Sequence, residues 1–182
     1  METIDEKKYT VEEYLSLVEE AEYKLEYYRG QVYAMAGAKA NHNIIAGNLI
    51  GVLNTQLLDK DCTIFTSDQA VAVDSQSYFY PDAMVGCEDL QLDDSQTRLL
   101  NPILIVEILS KSTRGFDKDR KFDLYREIPS LKEYLLLDSE SIGFQSFFKE
   151  EGDLWRISSG RSIDQTIPLY SLGLEIPLER IY

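Results

Sequence analysis

Thr10 followed three residues later by Glu13 makes a capping-box pattern, and Val11, Tyr14, Leu15, Leu17 and Val18 then recur with helical period, which predicts a first helix to about Ala21. Two short runs follow, 23–28 and 31–35, rich in tyrosine and apolar residues on either side of Arg29-Gly30, and that spacing predicts a hairpin. From Lys39 to Leu58 the residues Ile44, Ile45, Leu49, Val52, Leu53, Leu57 and Leu58 mark a long helix with one buried stripe. Strands are predicted at 62–66, 69–73 and 80–85, then a polar loop over 88–98, then the most strand-like run of the chain, Pro102 to Ser110. A turn over 111–115, a helix over 116–126, strands at 133–137, 144–148 and 154–157, and a tail punctuated by polar residues complete the pattern. Without repeats, linkers or low-complexity segments, this order reads as one α/β (mixed α+β) domain over 1–182.

Composition narrows the function classes. The chain has 182 residues, 44% hydrophobic and 27% charged, which excludes disorder and fibrous repeats. Eighteen Lys and Arg against 32 Asp and Glu give a formal net charge of −14, an argument against a general nucleic-acid coat. Cys62 and Cys87 have no CxxC partner, and the single histidine cannot complete a zinc site with them, so free thiols in a reducing cytosol are expected. The acidic start lacks a secretory pattern, and no stretch reaches the ~20 apolar residues that span a bilayer.

Two acids stand where acids are costly. Glu107 is the only charge in the run Ile103 to Leu109 and shares a face with Ile105 and Leu109. An ionised carboxylate there needs a cation, a metal or a proton, which makes it either a structural ion pair or a functional ligand. Asp82 is likewise the only charge in the run Tyr80 to Val85, and Pro81 beside it places the start of that strand at or near a sheet edge. Two acids on neighbouring strands make an oxygen-rich site suited to Mg²⁺. Directly after the Glu107 strand comes the chain's basic island, 111–126, with six basic residues against three acidic ones. Read blandly, the island is a solvated helix face laced with i, i+4 pairs.

Tyr80-Pro81-Asp82, Val106-Glu107-Ile108-Leu109-Ser110, Arg120-Lys121-Phe122-Asp123-Leu124-Tyr125 and Glu133-Tyr134-Leu135-Leu136-Leu137-Asp138, in this order and spacing, resemble the Uma family of bacterial "putative restriction endonucleases" within the PD-(D/E)XK nuclease superfamily. Leu25-Glu26-Tyr27 with Gly30, Met35-Ala36-Gly37 and His42 match its N-terminal half, so the resemblance covers about residues 20–140. It implies a restriction-endonuclease-like core, a mixed central sheet flanked by helices behind an N-terminal helix and hairpin. It further implies Mg²⁺, with Mn²⁺ as a substitute, held by Asp82, Glu107 and the backbone carbonyl of Ile108, and a lysine that orients the attacking water. The superfamily's lysine stands two residues after the strand acid, where this chain has Leu109; Lys121 on the following helix is the substitute, with Lys118 and Lys111 as fallbacks. Glu26 resembles an acid that some of these nucleases add to the metal shell. His42 is a secondary candidate, since a lone histidine at a helix start is more often structural.

The expectation is therefore a cytoplasmic, homodimeric, Mg²⁺-dependent endonuclease that meets DNA phosphates through Arg114, Lys118 and Arg120 and whose non-specific DNA binding is weak. Two other readings stay open: a non-catalytic binding or assembly protein that keeps the fold, which the acidic charge favours, and a hydrolase of small phosphoesters.

Overall fold

The computed structural model describes residues 3–35, 37–111 and 120–182. Helix α1 (Val11–Glu20) starts where the capping box sets it: Thr10 Oγ1 accepts the Glu13 N–H, and the Glu13 carboxylate accepts the Thr10 N–H. Strands β1 (Leu25–Tyr28) and β2 (Gln31–Ala34) pair antiparallel and reverse at Arg29 and Gly30, with φ of 47° and 92°. Two successive left-handed residues match the right-handed twist of the strands, and Gly30 takes the larger φ without a Cβ to clash. Helix α2 (Ala40–Gln56) buries Ile45, Leu49 and Leu53 at i, i+4 spacing, with Leu57 just past its end. Ile44 and Leu58 lie in solvent, so the buried stripe is narrower than the apolar positions implied.

The remaining elements are β3 (Cys62–Thr66), β4 (Ala70–Asp74), β5 (Ser77–Phe79), β6 (Ala83–Cys87), β7 (Arg98–Leu99), β8 (Leu104–Leu109), α3 (Phe122–Tyr125), β9 (Glu133–Asp138), β10 (Phe144–Lys149), β11 (Trp155–Gly160), β12 (Thr166–Leu169) and β13 (Leu174–Pro177). They form a mixed α+β architecture. A six-stranded sheet runs β11-β10-β9-β8-β6-β3, with β8 and β9 parallel and its other pairs antiparallel. A five-stranded sheet runs β2-β1-β5-β4-β7. Alternation along β8 gives it two buried faces. Leu104, Val106 and Ile108 meet α2 and the β12–β13 hairpin, while Ile105 and Leu109 meet Val71 and Phe79 of the five-stranded sheet and Tyr125 of α3. On the far side of the five-stranded sheet α1 inserts Tyr14 against Tyr27 and Tyr78, a stack with ring centroids 4.9 and 5.7 Å from Tyr14. Burial pushes the Tyr14 phenol's pKa far up, and its hydroxyl donates to the Leu25 carbonyl at 2.7 Å.

Several expectations are corrected. Cys62 and Cys87 are not free thiols: they face each other across β3 and β6 with Cα atoms 4.0 Å apart and are joined in a disulfide. Spacing along the chain carries no information about cross-strand register, which is why the pairing was not legible. The strand expected over 80–85 is β6, beginning at Ala83; Tyr80, Pro81 and Asp82 lead into it, and it lies between β8 and β3 rather than at a sheet edge. Of the helix expected over 116–126, α3 is the regular part, preceded by a wide π turn at Arg120 and Lys121; Arg114, Lys118 and the turn at 112–115 lie outside the described residues. The core does not end near 140. Ile167, Leu169, Leu172, Ile176, Leu178 and Ile181 of the expected polar tail are at most 5% exposed and pack with α2 and β8 in one cluster.

Candidate active site

Glu107 occupies the middle of β8 on the face turned toward the five-stranded sheet and is 4% exposed. Among the described residues, its Oε1 accepts hydrogen bonds from Lys121 Nζ at 2.9 Å and from the Tyr125 hydroxyl at 2.8 Å. Lys121 is itself 3% exposed and stands at the start of α3, so residues four apart reach the same carboxylate. From the opposite sheet comes Glu26 of β1, fully buried, whose Oε1 takes Lys121 Nζ at 3.2 Å and the Tyr80 backbone N–H at 3.0 Å. Phe79 lies beneath the ammonium, 5.7 Å from Nζ to the ring centroid. The ammonium thus bridges acids of two sheets.

Asp82 sits at the bend entering β6. The last registered pair is Ala83 with Val106, and Asp82 and Glu107 are the next residue beyond it on each chain segment. Its Oδ2 accepts the Ile108 backbone N–H at 2.6 Å, and its Oδ1 lies 3.2 Å from His42 Nε2 in the first turn of α2. A strand residue's N–H and C=O point to one side, so the Ile108 carbonyl belongs to the side on which Asp82 lies. The β6 entry, the C-terminal half of β8 and the α2 start thus meet at Asp82, whose side chain, like that of His42, is 14% exposed.

Of the residues named from sequence, Glu107, Lys121 and Glu26 share hydrogen bonds in one buried group, while Asp82 and His42 form a second group tied to β8 by the Ile108 amide, one residue after Glu107; Leu109 is buried in the aromatic layer, and Lys111 and Arg120 are exposed. Sequence reasoning missed Tyr125 and the Tyr80 amide. The spacing of Tyr125 from Lys121 on one short helix was the available signal for the first; nothing in the sequence signals the second, which depends on a contact between β1 and the chain ahead of Pro81.

Among the described residues, the Glu26 and Glu107 carboxylates share the Lys121 ammonium, and Asp82 is paired with His42. Among the described residues no three His, Cys, Asp or Glu side chains form a ready-made cation cage. Glu26 Oε2 is buried and accepts no hydrogen bond among the described residues. Hard oxygen donors and an orphaned carboxylate oxygen fit a hydrated divalent cation, which uses one or two carboxylates and completes its shell with water and substrate phosphate.

A mixed six-stranded sheet facing a five-stranded sheet and flanked by few helices defines a mixed α+β fold, shared with a solved nuclease-titled structure. A crystal structure from Anabaena variabilis, titled a putative nuclease belonging to DUF820, superposes with a TM-score of 0.79 over 95% of this chain and 97% of its own, at 16% identity. Residues 11–179 match the family model Uma2, described as "Putative restriction endonuclease". The chain belongs to the Uma2 family. Two uncharacterized Synechocystis proteins are similar: sll1609, 42% identical over 82% of this chain and 85% of its own length, and slr1290, 36% identical over 96% and 92%.

Proposed function

We propose that this Uma2-family chain is a Mg²⁺-dependent endonuclease that hydrolyses DNA phosphodiester bonds as a homodimer. The observation that carries the reading is Lys121 Nζ, buried and 2.9 Å from Glu107 Oε1, because a buried acid held against a buried cation, with a second acid at the entry of the adjoining strand, is a pairing a phosphodiester centre uses. Asp82 and Glu107 would hold the cation, with Glu26 as an added acid and the Ile108 carbonyl turned to the same side. When bound, the cation supplies Lewis acidity toward the scissile phosphate and lowers the pKa of a bound water. Lys121 offsets negative charge that develops on the phosphoryl oxygens. Glu26 keeps that ammonium from collapsing fully onto Glu107, since its Oε1 competes at 3.2 Å. His42 holds Asp82 from α2, and the Ile108 amide holds it from β8, which offsets the repulsion between the acids. Arg114, Lys118 and Arg120 would steer the phosphate backbone.

The test is incubation of the purified protein with supercoiled and linear DNA in Mg²⁺, Mn²⁺ or chelator, with Glu107→Ala as the contamination control. Metal-dependent nicking by the parent and none by the variant is expected. DNA left intact in every arm would reject the endonuclease, and turnover of a small phosphodiester in the same buffers would move the substrate to that class, which a charge of −14 tolerates better.

A further inference from the structure

Tyr125 reaches Glu107 in a way that Lys121 does not. The terminal torsion of a glutamate side chain is broad, so burial alone leaves the plane of the Glu107 carboxylate undetermined. An ammonium is a compact charge with three rotatable donors, and here it is divided between Glu107 at 2.9 Å and Glu26 at 3.2 Å, so it attracts the carboxylate without fixing its plane. The phenol is different. Its ring is fully buried and held edge-on by two neighbours, Phe79 at 5.9 Å and 87° and Tyr134 at 5.5 Å and 65°. Its O–H therefore arrives from one direction, 2.8 Å from Oε1.

We infer that Tyr125 is a positioning residue for Glu107: its hydroxyl pins Oε1 toward α3 and so fixes how the carboxylate is presented to a divalent cation. This rests on the metal-dependent reading above. Partners that orient a ligating carboxylate count nearly as much as the ligand, because a ligand free to rotate must be ordered at each binding event. The contact was within reach of the sequence only as a spacing, four residues after Lys121; the ring cage that makes it directional is assembled from β5 and β9.

Tyr125→Phe removes one oxygen and keeps the ring. The experiment titrates Mn²⁺ into the parent and into Tyr125→Phe by calorimetry, with chelator melts and far-UV circular dichroism of both. Half-saturation by Mn²⁺ is expected to rise tenfold or more in a variant that remains folded, roughly the effect of deleting an orienting partner at a metal site. Restored affinity is not expected from Tyr125→Trp, whose N–H cannot occupy the position of the hydroxyl. Equal Mn²⁺ affinity in parent and Tyr125→Phe would overturn the inference while leaving the metal reading intact. A parent that binds no Mn²⁺ would remove both. A variant that does not fold would assign the hydroxyl to stability and equally overturn the positioning role.

Discussion

With Glu107 at 2.9 Å and Glu26 at 3.2 Å, the Lys121 ammonium cannot be removed without leaving two negative groups in a place from which water is excluded. Breaking a buried ion pair from one side costs about 3–5 kcal/mol, so Lys121→Met is expected to lose that much in urea unfolding, besides any loss of cleavage. Adding Glu26→Gln to the same chain removes one of the stranded charges and should recover a large part of it. A double-mutant cycle gives the coupling directly, and additive costs would show that the two groups do not share their charge. Glu107→Gln behaves differently, because an amide oxygen still accepts from Tyr125 and Lys121 and Glu26 retains its cation. It should remain near parental stability and lose activity. The pair of outcomes separates an acid kept for chemistry from one kept for packing.

Among the elements, β3 and the 88–98 loop carry contacts that the linear pattern concealed. β3 is an edge strand whose strand partner is β6, and the Cys62–Cys87 disulfide closes a loop with a sequence separation of 25. In the chain-entropy picture such a cross-link contributes roughly 3 kcal/mol, so Cys62→Ser with Cys87→Ser should lower the urea midpoint accordingly, and full reduction of the parent should give the same shift. No difference between oxidised and reduced protein would show that the bond is absent in solution. The loop is organised by Asp93, whose carboxylate takes the Thr97 and Arg98 amides, the Ser95 hydroxyl and the Arg98 guanidinium. Burial pushes its pKa up, but those hydrogen bonds and the Arg98 charge outweigh burial and leave it below the usual aspartate value. A depressed folded-state pKa means stability that is present above the unfolded-chain value near 4 and is lost as the pH falls through the lower folded value. Urea midpoints from pH 6 to pH 2 should therefore fall on the acid side for the parent, and less steeply for Asp93→Asn.

At the scale of the molecule, the acidic surface and the site pull in opposite directions. A net charge of −14 repels a polyanion, and the basic island after β8 is the only segment whose sequence offsets it. Replacing Arg114, Lys118 and Arg120 by glutamine should weaken DNA binding, and the log–log salt slope should drop by about one for each phosphate that the variant no longer neutralises. Arg120 is exposed, as this requires. A salt slope unchanged in the triple variant would assign the phosphates to other cations of the chain.

What the sequence determined by itself was local or periodic: the capping box of α1, the Arg29-Gly30 reversal, the i, i+4 stripe of α2, and a strand apolar on both faces except at Glu107. Each depends on residues within one element, where a chemical preference and its geometric consequence lie a few positions apart. Asp82 and Glu107 also stood out, because a charge in an apolar run is conspicuous before any folding, whereas Lys121 was named only through the family resemblance. Tertiary structure decided which partner each charge would find. Glu26 meets Lys121 across two sheets, Ser171 reaches back to the buried Glu133, and the apolar residues of the last forty positions close the core over α2 rather than trailing as a tail. The Ser171–Glu133 and Asn48–Ile181 bonds join positions 38 and 133 residues apart. At such separations sequence neighbours say nothing about who is adjacent, and only the register of the strands and the packing of one sheet on another specify it.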